Sequence, residues 1–203
     1  MRPSEAFSLL QGTGALLDGH FELSSGLHSR QYIQCASVLQ HPTLAARLCG
    51  SLAQGFSADE VSVVAGPALG GITVAYELAR QLGARAIFAE RAEGKLALRR
   101  MFRVEPEDRV LLAEDVVTTG ESTLELLELI QHAGATVVGM TSIVDRSGGA
   151  VEFPVKYHSL LALTIKTFSV GTCPLCKEEI PLTKPGTRPP RKSSPSRLEG
   201  LQD

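Results

Sequence analysis

Glu114 and Asp115 stand side by side directly after a short apolar run, Val110 to Ala113. The chain then continues Val116, Val117, Thr118, Thr119, Gly120, Glu121, Ser122. Paired carboxylates can accept hydrogen bonds from adjacent sugar hydroxyls. A small-residue loop running into a helix offers backbone N–H groups and the positive end of a helix dipole, which together hold a phosphate. The chemistry read here is the binding of a phosphorylated sugar. The competing reading is a pair of exposed acids with no ligand. Their position between a buried run and a phosphate-type loop argues against it.

Three more stretches carry candidate chemistry. Gly66, Pro67, Ala68, Leu69, Gly70, Gly71 form a glycine-rich loop. Its spacing fits neither the P-loop nor the dinucleotide fingerprint, yet its glycines permit close backbone approach to an anion. A plain turn is the alternative. Glu90, Arg91, Ala92, Glu93, Gly94, Lys95 combine charges with a glycine. Arg91 and Lys95 can neutralise a phosphate or pyrophosphate, and a mobile loop carrying Lys suits a reaction that shuts water out and then releases product. A solvated charged hairpin is the plainer reading. Arg146 follows Asp145 and can either pair with it or face a ligand carboxylate.

The cysteines divide into two groups. Cys35 and Cys49 lie among apolar residues and read as small core fillers. Cys173-Pro174-Leu175-Cys176 is a C-x-x-C. It can be a tight structural turn, half of a metal site shared between two copies, or a disulfide. A full zinc site needs about four ligands, and the sequence shows no second pair nearby. His20, His28 and His158 lack metal-ligand spacing and receive no chemistry.

Periodicity sets the elements that must position these groups. Leu126, Leu129, Ile130 and Ala133 share one face of a helix that Gly134 stops. A short helix is expected from Pro3 to Leu10. Residues 20–34 read as loops and short strands. Pro42 starts a helix carrying Leu44, Leu48 and Leu52. Val61 to Ala65 reads as a strand. The helix after it presents Ile72, Ala75, Tyr76 and Ala79 and ends at Gly83. Strands follow at Ala84 to Ala89, Thr136 to Val144 and Leu160 to Ile165. Strands alternating with helices imply an α/β fold with a mostly parallel sheet. Ligands bind at the carboxyl ends of such strands, where all four candidate stretches fall.

Composition sets limits. The 203 residues, 43% hydrophobic, suit one α/β domain. No apolar run approaches the roughly 20 residues of a membrane span, and the N-terminus has no signal-peptide core, so a cytoplasmic protein is expected. A net charge of −2 gives no general attraction to nucleic acid. Residues 184–203 are rich in Pro, Ser and basic residues and read as a disordered, solvated tail. That leaves 1–183 as a single domain.

The central stretch resembles the signature of type I phosphoribosyltransferases, which bind phosphoribosyl pyrophosphate. Phe21, Glu22, Leu23, Ser24, Ser25, Gly26, with Ser29 and Tyr32, resemble the N-terminal segment of the orotate phosphoribosyltransferase family. Gly66-Pro67 through Gly70-Gly71, Phe88 to Arg91 with Lys95, and Thr141 to Arg146 match that family in order. The resemblance implies the type I fold, a central sheet flanked by helices with a small N-terminal hood built largely from residues 1–40. It implies that Glu114 and Asp115 hold ribose hydroxyls, that 116–122 cradle the 5-phosphate, and that Gly66 to Gly71 lie beside pyrophosphate. Arg91 would contact phosphate groups. Lys95 would be the loop Lys, catalytic with Asp115 and acting across a homodimer. Thr118, Arg146, Ser25 and Gly26 would meet orotate. Mg²⁺ would be held through the ligand rather than by side chains. The chain departs from the family at Ser24, where Lys is frequent, at Glu90-Arg91, where Arg-Lys is frequent, and in lacking a His soon after Lys95; Arg99 and Arg100 are alternative sources of positive charge. The implied reaction gives orotidine 5′-phosphate and pyrophosphate on the route to UMP. The rivals are a purine or uracil phosphoribosyltransferase and a non-catalytic phosphoribosyl-pyrophosphate-binding regulator.

Overall fold

The computed structural model describes residues 1–23 and 25–185. Ser24, and the expected tail from 186 onward, lie outside the described residues. In chain order the elements are α1 (Pro3–Gly12), β1 (Leu16–Glu22), β2 (His28–Ile33), α2 (Ala36–Leu39), α3 (Pro42–Ala53), β3 (Val63–Pro67) and α4 (Gly70–Leu82). They continue with β4 (Arg85–Ala92), β5 (Lys95–Leu98), β6 (Arg109–Val117), α5 (Glu121–His132), β7 (Thr136–Asp145), β8 (Tyr157–Ala162), β9 (Thr167–Phe168) and α6 (Pro174–Lys177).

Six strands form the main sheet in the order β5-β4-β3-β6-β7-β8. All neighbours are parallel except β4 and β5, which form an antiparallel hairpin. The central strands are buried on both faces, so their sequences read as apolar runs rather than as alternation. Val64, Leu111 and Ala113 point to one side, where they join the cluster containing the buried faces of α1, α3 and α4. Val63, Ala65, Val110 and Leu112 point to the other, against Leu126 and Ile130 of α5. This is the two-residue period of a strand serving two helical layers. A second, three-stranded antiparallel sheet, β1-β2-β9, takes two of its strands from the segment expected to form the hood.

From β3 the chain moves outward to β4 in one direction, whereas β6, on the other side of β3, leads outward to β7 and β8. The strand order therefore reverses between β3 and β6. A crevice opens at such a switch point, outside the carboxyl ends of the two strands. Gly66–Gly71 and Glu114–Asp115 both lie there.

Some expected details shift. The helix expected to bury Ile72 and Tyr76 instead buries Gly71, Val74, Ala75, Leu78 and Ala79, and Tyr76 is 67% exposed. The helix is rotated because Gly71 must approach the Ala113 carbonyl and Gly66 too closely for any Cβ. The loop expected over 66–71 shrinks to Ala68 and Leu69, since Gly66 and Pro67 end β3 and Gly70 opens α4. The last strand of the main sheet, β8, runs from Tyr157 to Ala162, three residues ahead of the expected Leu160 to Ile165 at each end. Ala133 is exposed, because α5 ends at His132 and Gly134 adopts a left-handed φ of 90°.

Candidate functional site

β6 carries the acidic pair to the crevice. Strand alternation sends neighbouring side chains to opposite faces, and the two acids consequently differ. Glu114 is buried at 8% exposure. Burial, aided by the Asp115 charge, pushes its carboxyl up to about 9. Asp115 is half-buried and lines two adjoining cavities, of about 440 and 540 Å³. Its Oδ1 accepts the Val116 N–H at 2.9 Å, which fixes the carboxylate at the strand end.

The smaller of these cavities is lined by Tyr32, Gln34, Asp115, Thr118 and Arg146, with Ser25 at its mouth. Gly26 turns the Ser25 loop with a φ of 77° and donates its N–H to the Leu23 carbonyl at 2.9 Å. Arg146 is half-buried, and desolvation draws its pKa down. The competing pairing with Asp145 does not form, for that carboxylate accepts the Ser147 N–H at 2.8 Å. Among the described residues no carboxylate lies within ion-pair distance of Arg146. A desolvated guanidinium without an acid is costly unless a ligand supplies one.

The other large cavity is lined by Gln34, Leu69, Gly70, Thr73 and Asp115. A Cβ on Gly70 would collide with the Asp115 carboxylate, so the bare backbone there lets the carboxylate keep its place.

The turn after β6 makes a third, smaller hollow of about 60 Å³, lined by Glu114 and residues 116–123. Gly120 sits at the N-cap of α5 with a φ of 74°, and a Cβ there would strike Val151 and Phe153. The hollow is small enough to hold a single phosphate-sized group against the helix N-terminus. Thr118 and Thr119 line this hollow and the 440 Å³ cavity alike, so the two are contiguous.

Two expected residues stand apart. Arg91 is exposed and pairs with Glu125 of α5 at 2.8 Å, with a second bond to the Gly94 carbonyl at 2.9 Å. Lys95 is exposed at the start of β5. Neither lines the three cavities. The expected loop is a hairpin turned by Glu93 and Gly94, both at positive φ, as a two-residue hairpin requires. Arg99 and Arg100 both pair with Glu90.

Gln34 and Lys184 are polar cavity residues that had no role in the sequence reading. Gln34 follows β2 and borders both large cavities. Lys184, assigned to the tail, instead lines the 440 Å³ cavity and bonds Glu22 at 2.7 Å. A long-range backbone pairing, Thr183 N–H to His20 O at 2.8 Å, brings it there. No local sequence signal marks that contact.

The oxygen donors of this crevice, carboxylate and hydroxyl, suit Mg²⁺ better than a thiophilic metal. Among the described residues no helix is long and apolar enough to cross a membrane.

A phosphoribosyl transferase domain model matches residues 35–175. An orotate phosphoribosyltransferase of Pelotomaculum thermopropionicum is 50% identical over 188 residues, 93% of this chain and 99% of that one. One from Caldicellulosiruptor bescii is also 50% identical over 188 residues, with the same coverage. Among solved structures, the orotate phosphoribosyltransferase of Aeropyrum pernix superposes with a TM-score of 0.65 at 29% identity, over 77% of this chain and 92% of that one. The Mycobacterium tuberculosis enzyme in complex with inorganic phosphate gives 0.61 at 27% identity, over 79% and 95%.

Proposed function

This chain belongs to the orotate phosphoribosyltransferase family of phosphoribosyl transferases, and from that membership we propose how its crevice carries out the transfer of ribose 5-phosphate from phosphoribosyl pyrophosphate to orotate. The products are orotidine 5′-phosphate and pyrophosphate, in the biosynthesis of UMP. The observation that carries the choice of base is Arg146, a half-buried guanidinium lining the cavity with no carboxylate in ion-pair distance among the described residues. Orotate brings a carboxylate; uracil, adenine and hypoxanthine do not.

The reaction breaks the bond between the anomeric carbon and the pyrophosphate oxygen and forms a bond from that carbon to a ring nitrogen of orotate. Positive charge develops on the ribose as pyrophosphate leaves. The protein's work is then positioning and electrostatics rather than covalent catalysis. Residues 118–122 hold the 5-phosphate at the start of α5. Glu114 and Asp115 hold the ribose hydroxyls. The buried Glu114, which keeps its proton at neutral pH, offers an O–H donor, and the Asp115 carboxylate offers acceptors. Gly66 to Gly71 border the pyrophosphate. Ser25, Gly26, Thr118 and Arg146 enclose the base. Mg²⁺ would be held beside the Asp115 carboxylate largely through the ligand, and would supply charge neutralisation for the leaving pyrophosphate.

In this reading Arg91 contacts the phosphate groups, and Lys95 completes the set by acting on the neighbouring subunit of a homodimer. Its exposed position, away from its own chain's cavities, supports a role in trans. In this reading the enzyme is cytoplasmic.

Offering orotate, uracil, adenine and hypoxanthine separately with phosphoribosyl pyrophosphate tests the assignment. Nucleotide product is expected with orotate alone. Product with a purine or uracil, and none with orotate, would reassign the base. Binding of phosphoribosyl pyrophosphate without product from any base would make the chain a regulator.

A further inference from the structure

The C-x-x-C does not stand alone. β1 and β2 bring His20 and His28 against Cys173 and Cys176, and the four candidate ligand atoms all lie within 4.8 Å of one another. His20 Nε2 is 2.8 Å from His28 Nδ1, 3.6 Å from Cys173 Sγ and 3.7 Å from Cys176 Sγ. Cys176 Sγ is 3.3 Å from His28 Nδ1. Zinc–sulfur bonds of about 2.3 Å and zinc–nitrogen bonds of about 2.0–2.1 Å make a tetrahedron with edges of roughly 3.3–3.8 Å. The three N···S separations of 3.3–3.7 Å fall in that range, while the 2.8 Å N···N contact would open by roughly half an ångström to admit the metal.

The surroundings suit a metal as well. The Ile180 carbonyl lies 2.7 Å from His20 Nδ1 and can only accept. His20 therefore carries its proton on Nδ1 and turns a bare Nε2 towards the cluster, the second-shell arrangement common around metal-bound histidine. His20, His28 and Cys173 are buried, and Cys176 closes the set from the solvent side. His20 falls where the β1–β2 register slips between Asp18 and Phe21; a bulge of this kind re-aims a side chain. Both cysteines are free thiols. Two thiolates and two imidazoles form a soft donor set that selects zinc over the hard cation of the catalytic crevice.

We propose that His20, His28, Cys173 and Cys176 bind one structural zinc ion within a single chain, tying the hood to the segment that follows β9. The two histidines bracket residues 21–27, which include the Ser25-Gly26 turn. Zinc thus fixes both ends of the base loop. This last consequence rests on the function proposed above; the metal site itself does not.

The test is metal analysis of the full chain, purified under reducing conditions without chelator. About one zinc per chain is expected, retained through gel filtration and lost in Cys176→Ser and His20→Ala. Co²⁺ added to the metal-stripped wild-type chain should give the intense visible bands of tetrahedral thiolate coordination, a readout independent of whether the variants fold. Stripping zinc should raise the KM for orotate several-fold more than that for phosphoribosyl pyrophosphate. Wild-type chain without metal and without cobalt bands, or a mass two hydrogens short from a Cys173–Cys176 disulfide, overturns the site. Bound zinc whose removal leaves the orotate KM unchanged overturns the positioning role.

Discussion

The Asp115 carboxylate occupies the space that a Cβ on Gly70 would need. The Asp115 side chain at the carboxyl end of β6 thereby rests directly on the bare backbone of the first residue of α4. Gly70→Ala should push the carboxylate off its Val116 N–H bond. A displacement of about 1 Å at a reacting centre costs roughly a hundredfold in rate. Steady-state kinetics should show that loss in kcat/KM with a thermal midpoint near wild type. Unchanged kcat/KM would mean that the Asp115 position is not critical.

Glu114 gives the chain a pH signature. Its pKa of about 9 in the fold, against 4.5 for the unfolded group, means that the folded chain holds this proton more tightly. Its contribution to stability therefore falls as pH rises from the ordinary carboxylate range towards about 9. Glu114→Gln should remove that decline and gain on the order of 2 kcal/mol at pH 7, while weakening phosphoribosyl pyrophosphate binding. Urea unfolding of both proteins across this window checks it; parallel stability curves would count against a buried, protonated Glu114.

Arg146→Ala removes the cation assigned to the orotate carboxylate. A charge-assisted hydrogen bond contributes about 1.5–3 kcal/mol, so the orotate KM should rise roughly ten- to hundredfold. Affinity for phosphoribosyl pyrophosphate should change little. If calorimetry instead shows both ligands weakened equally, Arg146 has no special part in recognising the base.

Lys95→Ala should lower kcat by roughly a hundredfold or more, the usual cost of losing one transition-state contact, with orotate binding largely kept. Mixed with Asp115→Asn under subunit exchange, it should recover part of the activity, since one site in the hybrid dimer then has both groups intact. Failure to complement, with exchange confirmed by mass, would confine Lys95 to its own chain's site.

The strand, acidic pair, loop and helix around Glu114 were legible because the whole unit is local: four buried residues, a turn and a 3.6-residue period. The gathering of the candidate stretches at strand ends followed from the order of such units, whereas the switch point needed the observed strand order. Contacts between distant segments were not legible. His20 and Cys173 are 153 residues apart yet meet at 3.6 Å, and ligand spacing along the chain cannot report a hairpin packed on a C-terminal turn. Tyr76 was misplaced because the demand for bare backbone at Gly71, rather than apolar periodicity, sets the rotation of α4. Arg91 carries the charge expected of it, but in this structure that charge is engaged by Glu125, a partner 34 positions along the chain.

Pyrophosphate release from phosphoribosyl pyrophosphate, followed with and without orotate and with and without Mg²⁺, tests the central assignment most directly. The account predicts release that requires both, saturates with orotate and collapses in Arg146→Ala at low orotate. Release that ignores orotate, or none at all despite measurable binding of phosphoribosyl pyrophosphate, would contradict it.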